Sequence, residues 1–277
     1  MNKFKILAVF AIFLTVSSYA QIAVMTYNIK YANENDGENS WSKRKDFITN
    51  QLKFYEPDVF GVQEALLLQI DYFTSQLYGY DYVGVGRENG AEKGEYSAIL
   101  YKKDKFEVLE TSTFWLSKTP EKVSTGWDAA LPRICTYALF RDKESGKKFW
   151  YFNTHFDHIG EKARQESAKL IISKINEINT SSLPVILSGD FNLEPETTGI
   201  RYLSEEMSDS KKIAKNVVFG PEGTFNGYKF QEPATRRIDY IFVNGQVEVL
   251  KYAVLTDSKK MRYPSDHFPV FVILKLE

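Results

Sequence analysis

Asp190 and Asn192 close the stretch Ser188-Gly189-Asp190-Phe191-Asn192, directly after the apolar run Leu183-Pro184-Val185-Ile186-Leu187. A short apolar run bounded by a proline reads as a buried strand. An unpartnered ion at the end of such a strand is costly to bury. Side chains two apart on an extended chain point the same way. Asp190 and Asn192 therefore reach one point, and a hard cation or a phosphate is its natural occupant.

The pattern recurs along the chain. Asn28 ends an apolar run over 22–28, and Glu64 ends another over 59–64. His155 and Asp157 follow the run 148–155. Asp239 stands in Arg236-Arg237-Ile238-Asp239-Tyr240, and Asp266-His267 precede the last apolar run at 270–276. Each has a plain structural alternative. Asn28 and Asp266 suit turns, Glu64 suits a helix cap, His155 suits a satisfied core histidine, and Asp239 can pair with Arg236 or Arg237. Gathered on one sheet edge, however, these acids would repel one another unless a cation sat among them. Oxygen donors with two histidines and no cysteine point to Mg²⁺ or Mn²⁺ rather than structural zinc. The sequence carries neither a Walker-type phosphate loop nor a serine nucleophile elbow. Metal-assisted hydrolysis of a phosphate ester is the reaction these residue types fit.

The elements that must position these groups alternate between strands and helices. Helical spacing covers 41–54, with Ser40 as N-cap, then 66–77 and 160–180, and part of 196–207. Strands are expected at 22–28, 59–64, 80–84, 96–101, 106–113, 133–141, 148–155, 184–190, 238–243, 247–255 and 270–276. Residues 142–146 supply a hairpin turn, and Asn244-Gly245 reads as another joining the strands on either side of it. Several strands read as hairpin-linked, so a wholly parallel sheet does not fit. The expected architecture is α/β, with two mixed sheets packed face to face and helices outside.

Composition bounds the rest. With 35 Lys and Arg against 36 Asp and Glu, the chain lacks the basic field of a strong nonspecific nucleic-acid binder. Lys3 and Lys5, the apolar stretch 6–16 and Ser18-Tyr19-Ala20 read as a signal peptide cleaved after Ala20. Its apolar run is short for a transmembrane span. Cleavage takes away two lysines and no acid, moving the formal charge from −1 to −3. The mature chain, 21–277, is expected to form one domain in the periplasm or outside the cell, without a transmembrane segment. Its lone Cys135 cannot form an internal disulfide and reads as a small buried hydrophobe.

Six motifs carry a resemblance: Thr26-Tyr27-Asn28, Val62-Gln63-Glu64, Asn153-Thr154-His155, Ser188-Gly189-Asp190-Phe191-Asn192, Arg237-Ile238-Asp239-Tyr240 and Ser265-Asp266-His267-Phe268-Pro269. Together, and in this order, they closely resemble the endonuclease/exonuclease/phosphatase (DNase I-like) superfamily. The resemblance implies a four-layer αββα sandwich with the site at one edge of the packed sheets. It implies that Glu64 is the principal metal ligand, helped by Asn28 and Asp266. Asp190 would orient or deprotonate the attacking water, and Asn192 would hold the water or the phosphate. His155 would donate to a phosphate oxygen. His267 would stabilise developing charge, with Asp239 orienting its ring.

Arg133 suits a phosphate, or else pairs with a structural acid. Trp41, Trp127 and Phe225 are candidates to line a substrate pocket. The leading expectation is an exported Mg²⁺-dependent phosphoesterase, acting on a diester in preference to a monoester. A secreted nuclease of the same superfamily is the alternative, and a non-catalytic binding module on the same scaffold is a further one. The substrate class and oligomeric state are not legible.

Overall fold

A computed structural model describes residues 21–276. The expected signal peptide, residues 1–20, lies outside the described residues. The first half of the chain gives β1 (Gln21–Asn28), α1 (Trp41–Tyr55), β2 (Val59–Gln63), α2 (Leu67–Gln76), β3 (Tyr80–Val83), β4 (Ile99–Lys102) and β5 (Phe106–Trp115). The hairpin β6 (Ile134–Asp142) and β7 (Lys148–His155) leads into α3 (Glu161–Ile178) and β8 (Val185–Asp190). Then come α4 (Thr198–Glu206), β9 (Ser208–Asp209), α5 (Ser210–Ile213), β10 (Val217–Phe219), β11 (Asp239–Val243), β12 (Val247–Val254) and β13 (Val270–Leu276).

The strands form two mixed sheets, ordered β10-β12-β13-β1-β2-β4-β3 and β5-β6-β7-β8-β11-β9. Strand periodicity explains why both faces of the central strands are apolar. In β1, Ile22 and Val24 face the second sheet, in a core with Tyr151, Ile186 and Ile241. Met25 and Tyr27 face the other way, onto Ile48 and Leu52 of α1 and Phe73 of α2. The second sheet repeats the scheme, with Phe152 and Leu187 packed on Ile171 and Ile175 of α3 and Leu203 of α4. The result is the expected helix–sheet–sheet–helix sandwich. Cys135 is fully buried, and burial pushes its thiol up, as a small hydrophobe requires.

One connection departs from expectation. Asn244-Gly245 does not close a hairpin. β11 pairs with β8 and β9, whereas β12 pairs with β13 and β10, so the turn crosses between sheets. Asn244 is spent on β8: its Oδ1 accepts from Val185 N at 3.1 Å and its Nδ2 donates to Leu183 O at 3.0 Å. A tight turn rich in Asn and Gly specifies a reversal, not which sheet receives the next strand. The turn at 103–104 likewise carries the chain from β4 in one sheet to β5 in the other.

Candidate active site

Strand direction brings the polar strand ends together. β1 and β2 run parallel, as do β7 and β8, so Asn28, Glu64, His155 and Asp190 all finish at the same end of the sandwich. β11 runs antiparallel to β8 and begins with Asp239 opposite Asp190. β13 runs antiparallel to β1, so Asp266-His267, just ahead of it, arrive at that end too. There Glu64, His155, Asp190, Asp266 and His267 bound a cleft of about 500 Å³.

Asn28 lies fully buried beneath the cleft floor. Its Nδ2 donates to Glu64 Oε1 at 3.1 Å and to Asp190 Oδ2 at 2.9 Å, and its Oδ1 accepts from Lys30 N. One carboxamide thus fixes two acids from different sheets. Lys30, Glu64 and Asn192 all adopt left-handed backbone, with φ of 57°, 60° and 49°. Asparagine tolerates this region, but for a lysine or a glutamate it costs on the order of 1–3 kcal/mol. Asn192 N donates to Asp190 Oδ1 at 2.9 Å, and its amide reaches Phe156 O.

The histidines differ in their surroundings. His267 Nδ1 meets Asp239 Oδ2 at 2.9 Å, and its Nε2 lies 3.8 Å from Asp190 Oδ2. Burial opposes its charge, but Asp239 and Asp190 outweigh burial and push the ring up to about 10. Thr224 Oγ1 donates to Asp239 at 2.5 Å and completes the support. His155 is held well below the ordinary histidine value by burial and by the Arg133 and Arg87 guanidiniums, so it is neutral. Its Nε2 lies 3.4 Å from Asp190 Oδ2. Burial and Asp239 push Asp190 up to about 7, where a carboxylate can exchange a proton near neutrality.

Two acids that could hold a divalent cation, Glu64 and Asp266, stand on the other wall. Burial raises Asp266 and the nearby charge of Glu64 adds to it, against His267, Lys30 and Arg44, which lower it. Asp266 accepts a long 3.4 Å bond from Ser265 Oγ, leaving oxygen lone pairs free. Lys30 Nζ stands 3.6 Å from Glu64 Oε2, a positive charge where a cation would be accommodated. Asp190, Asp239 and His267 form a donor group with ligand atoms within 4.8 Å of one another. In that group Asp239 is already engaged by His267 and Thr224.

Of the residues named from sequence, Glu64, Arg133, His155, Asp190, Asn192, Phe225, Asp266 and His267 line the cleft. Asn28 and Asp239 lie buried directly behind them. Phe225 packs edge-on against the His267 ring at 5.1 Å. Arg133 does pair with an acid, Asp157 at 3.3 Å, yet also reaches His155 Nδ1 and His158 Nδ1. Trp41 is not brought to the cleft: it sits at the start of α1, edge-on to Tyr72 and Phe73 in the core. Trp127 is not among the lining residues either. Asp239 pairs with neither flanking arginine; Arg237 instead makes a bidentate pair with Asp209. The sequence reading passed over Lys30 and Thr224. Lys30 was within reach of it, two residues beyond Asn28, whereas nothing in the irregular segment around Thr224 marks it.

Comparison with known proteins agrees with this geometry. The structure superposes on an endonuclease/exonuclease/phosphatase family protein from Bacteroides thetaiotaomicron with a TM-score of 0.89 and 40% identity, covering 94% of this chain and 99% of that one. A mannosyl-6-phosphatase from the same organism gives 0.88 and 42%, covering 91% and 99%. An uncharacterised protein of Acanthamoeba polyphaga mimivirus is 30% identical over 85% of this chain and 92% of its own length. Mouse nocturnin is 23% identical over 91% of this chain, which spans 64% of nocturnin. Residues 25–267 match the Endonuclease/Exonuclease/phosphatase family, and the chain belongs to that family.

Proposed function

We propose that this protein is a metal-dependent phosphatase that hydrolyses a phosphate monoester carried by a small polar alcohol such as a sugar. The observation that carries the reading is the convergence of Asp190, Asn192, His155 and His267 on one cleft beside the acids Glu64 and Asp266. The sequence leaned towards a diester. The 42% identity to a mannosyl-6-phosphatase across nearly the whole of both chains favours a monoester.

Glu64 and Asp266, with Asn28 beside them, would hold Mg²⁺ or Mn²⁺. Such an ion, when bound, would offset charge on the phosphoryl oxygens and make phosphorus more open to attack, as the P–O bond to the alcohol breaks and the alcohol leaves with a proton from solvent. The chain's own groups do the rest. Asp190, poised near neutrality, accepts the proton of the attacking water. Asn192 orients that water or a phosphoryl oxygen. Charged His267, fixed by Asp239, stabilises the negative charge that grows on the phosphoryl group. Neutral His155 hydrogen-bonds a phosphoryl oxygen, and Arg133 holds its ring. We also propose that residues 1–20 direct export and that the mature chain starts at Gln21; mass spectrometry of the exported protein's N-terminus checks this.

The test is hydrolysis of p-nitrophenyl phosphate, bis-p-nitrophenyl phosphate and a panel of sugar phosphates, with Mg²⁺, Mn²⁺ or EDTA. Release of inorganic phosphate from a sugar phosphate, abolished by EDTA and by Glu64→Gln, is expected. Undiminished turnover in EDTA would sink the metal mechanism. Plasmid nicking that outpaces every small ester would favour the nuclease reading.

A further inference from the structure

We propose that Lys30 recognises the second negative charge of a phosphate monoester and so sets the preference for monoesters over diesters. This rests on the phosphoesterase reading of the cleft and deepens it. Three observations carry it.

First, the backbone of Lys30 is clamped. Its N–H donates to Asn28 Oδ1 at 3.0 Å, and its carbonyl accepts from Arg44 Nη2 at 2.5 Å and Gln69 Nε2 at 3.1 Å. Arg44 comes from α1 and Gln69 from α2, and both are buried. Buried donors from two helices hold the lysine in a left-handed conformation that it would not adopt unaided. Strain maintained in this way places the side chain over the cleft, in the wall shared with Glu64, Asp190 and His267.

Second, the ammonium is ion-paired but donates no hydrogen bond. It stands 3.6 Å from Glu64 Oε2, beyond hydrogen-bond distance, and 4.2 Å from the Tyr31 ring centre. Among the described residues no acceptor takes a hydrogen bond from it.

Third, the two arginines at the cleft are hydrogen-bonded to other side chains. Arg133 is directed at Asp157, His155 and His158. Arg236 pairs with Glu194 and lies over the Phe225 ring. Lys30 therefore brings ammonium donors that no protein acceptor takes, beside the Nε2–H of charged His267. A diester carries one negative charge, whereas a monoester carries nearly two above its second pKa of about 6. A compact ammonium suits that extra charge as a point contact.

The experiment compares wild type, Lys30→Met and Lys30→Arg with Mg²⁺ at pH 7.5. It measures kcat/KM on p-nitrophenyl phosphate and on bis-p-nitrophenyl phosphate, together with inhibition by inorganic phosphate. Lys30→Met should lose about 10–100-fold on the monoester, the size of one charged hydrogen bond. That loss should exceed the loss on the diester by at least tenfold, and the inhibition constant for phosphate should rise about tenfold. Lys30→Arg should recover part of both. Equal losses on the two esters with unchanged phosphate inhibition would overturn the proposal. If Lys30→Met does not fold, Lys30→Gln takes its place with the same two esters and the same phosphate inhibition, and equal losses on both esters overturn the inference. Should wild type cleave neither ester while Lys30→Met still loses phosphate binding, the Lys30 site stands and the phosphatase reading falls.

Discussion

His267 sits between two carboxylates, one at each ring nitrogen, and this makes its charge a measurable property of the fold. Its folded pKa of about 10 lies above the ordinary 6.5. The folded ring therefore keeps its proton between those values while the unfolded chain releases it. The resulting stabilisation is fully present below pH 6.5 and is lost as pH rises through about 10. Asp239→Asn removes the main attraction, so the ring pKa should fall towards 6.5 and stability between pH 7 and 9 should drop. NMR titration of the histidines in the metal-free protein checks the first outcome, and urea melts at pH 6 and pH 9 check the second. Asp190→Asn should lower kcat by about 10²–10⁴ while sparing metal binding, because Glu64 and Asp266 are untouched. Single-turnover kinetics beside a Mg²⁺ titration separates the two effects. At this scale much of the site was legible in sequence, because an acid or amide ending an apolar strand has little packing reason to be there. Trp41 shows the limit: no property of a tryptophan distinguishes a pocket wall from a core, and its edge-on partners in α2 decide the matter.

Between the sheets, directly beneath the cleft, β2 and β7 are joined by polar side chains. Gln63 Nε2 donates to Asn153 Oδ1 at 2.7 Å and to Thr26 Oγ1 at 2.9 Å. Asn153 Nδ2 bonds Val62 O and Ala98 O, and Ser188 Oγ joins at Asn153 Oδ1. Gly61 makes room for this seam: a Cβ there would stand 2.3 Å from Asn153 Oδ1 and 2.8 Å from Ser188 Oγ. Gly61→Ala should therefore cost about 1–3 kcal/mol through overpacking, and lower Tm by several degrees. It should also lower kcat without changing any residue of the cleft, because Glu64 and His155 terminate the two strands being pushed apart. Differential scanning calorimetry with parallel kinetics checks both outcomes. Element type and order were largely legible from periodicity. The partner sheet of β12 was not, since turn chemistry is local and sheet assignment depends on which apolar faces meet.

Across the whole molecule, ligand binding should appear as stability. If Glu64 and Asp266 bind Mg²⁺, a concentration of 100 Kd should add about 2.7 kcal/mol and raise Tm by about 5–10 °C. Glu64→Gln should abolish most of that rise, and a thermal melt with and without EDTA measures it. Sheet pairing at this scale was not legible, because it is fixed by contacts distant in sequence. Those contacts have a kinetic consequence. The bond from Asn28 to Asp190 spans 162 residues, and that from Ser265 to the Asn28 carbonyl spans 237. A chain dominated by such closures gathers them late, after its local hairpins and helices. The cleft draws on residues from Lys30 to His267, so a half-length or half-folded chain holds only part of it. Regain of activity during refolding should lag behind regain of helical circular dichroism and coincide with the slowest structural phase, so that turnover serves as a clock for completion of the native state.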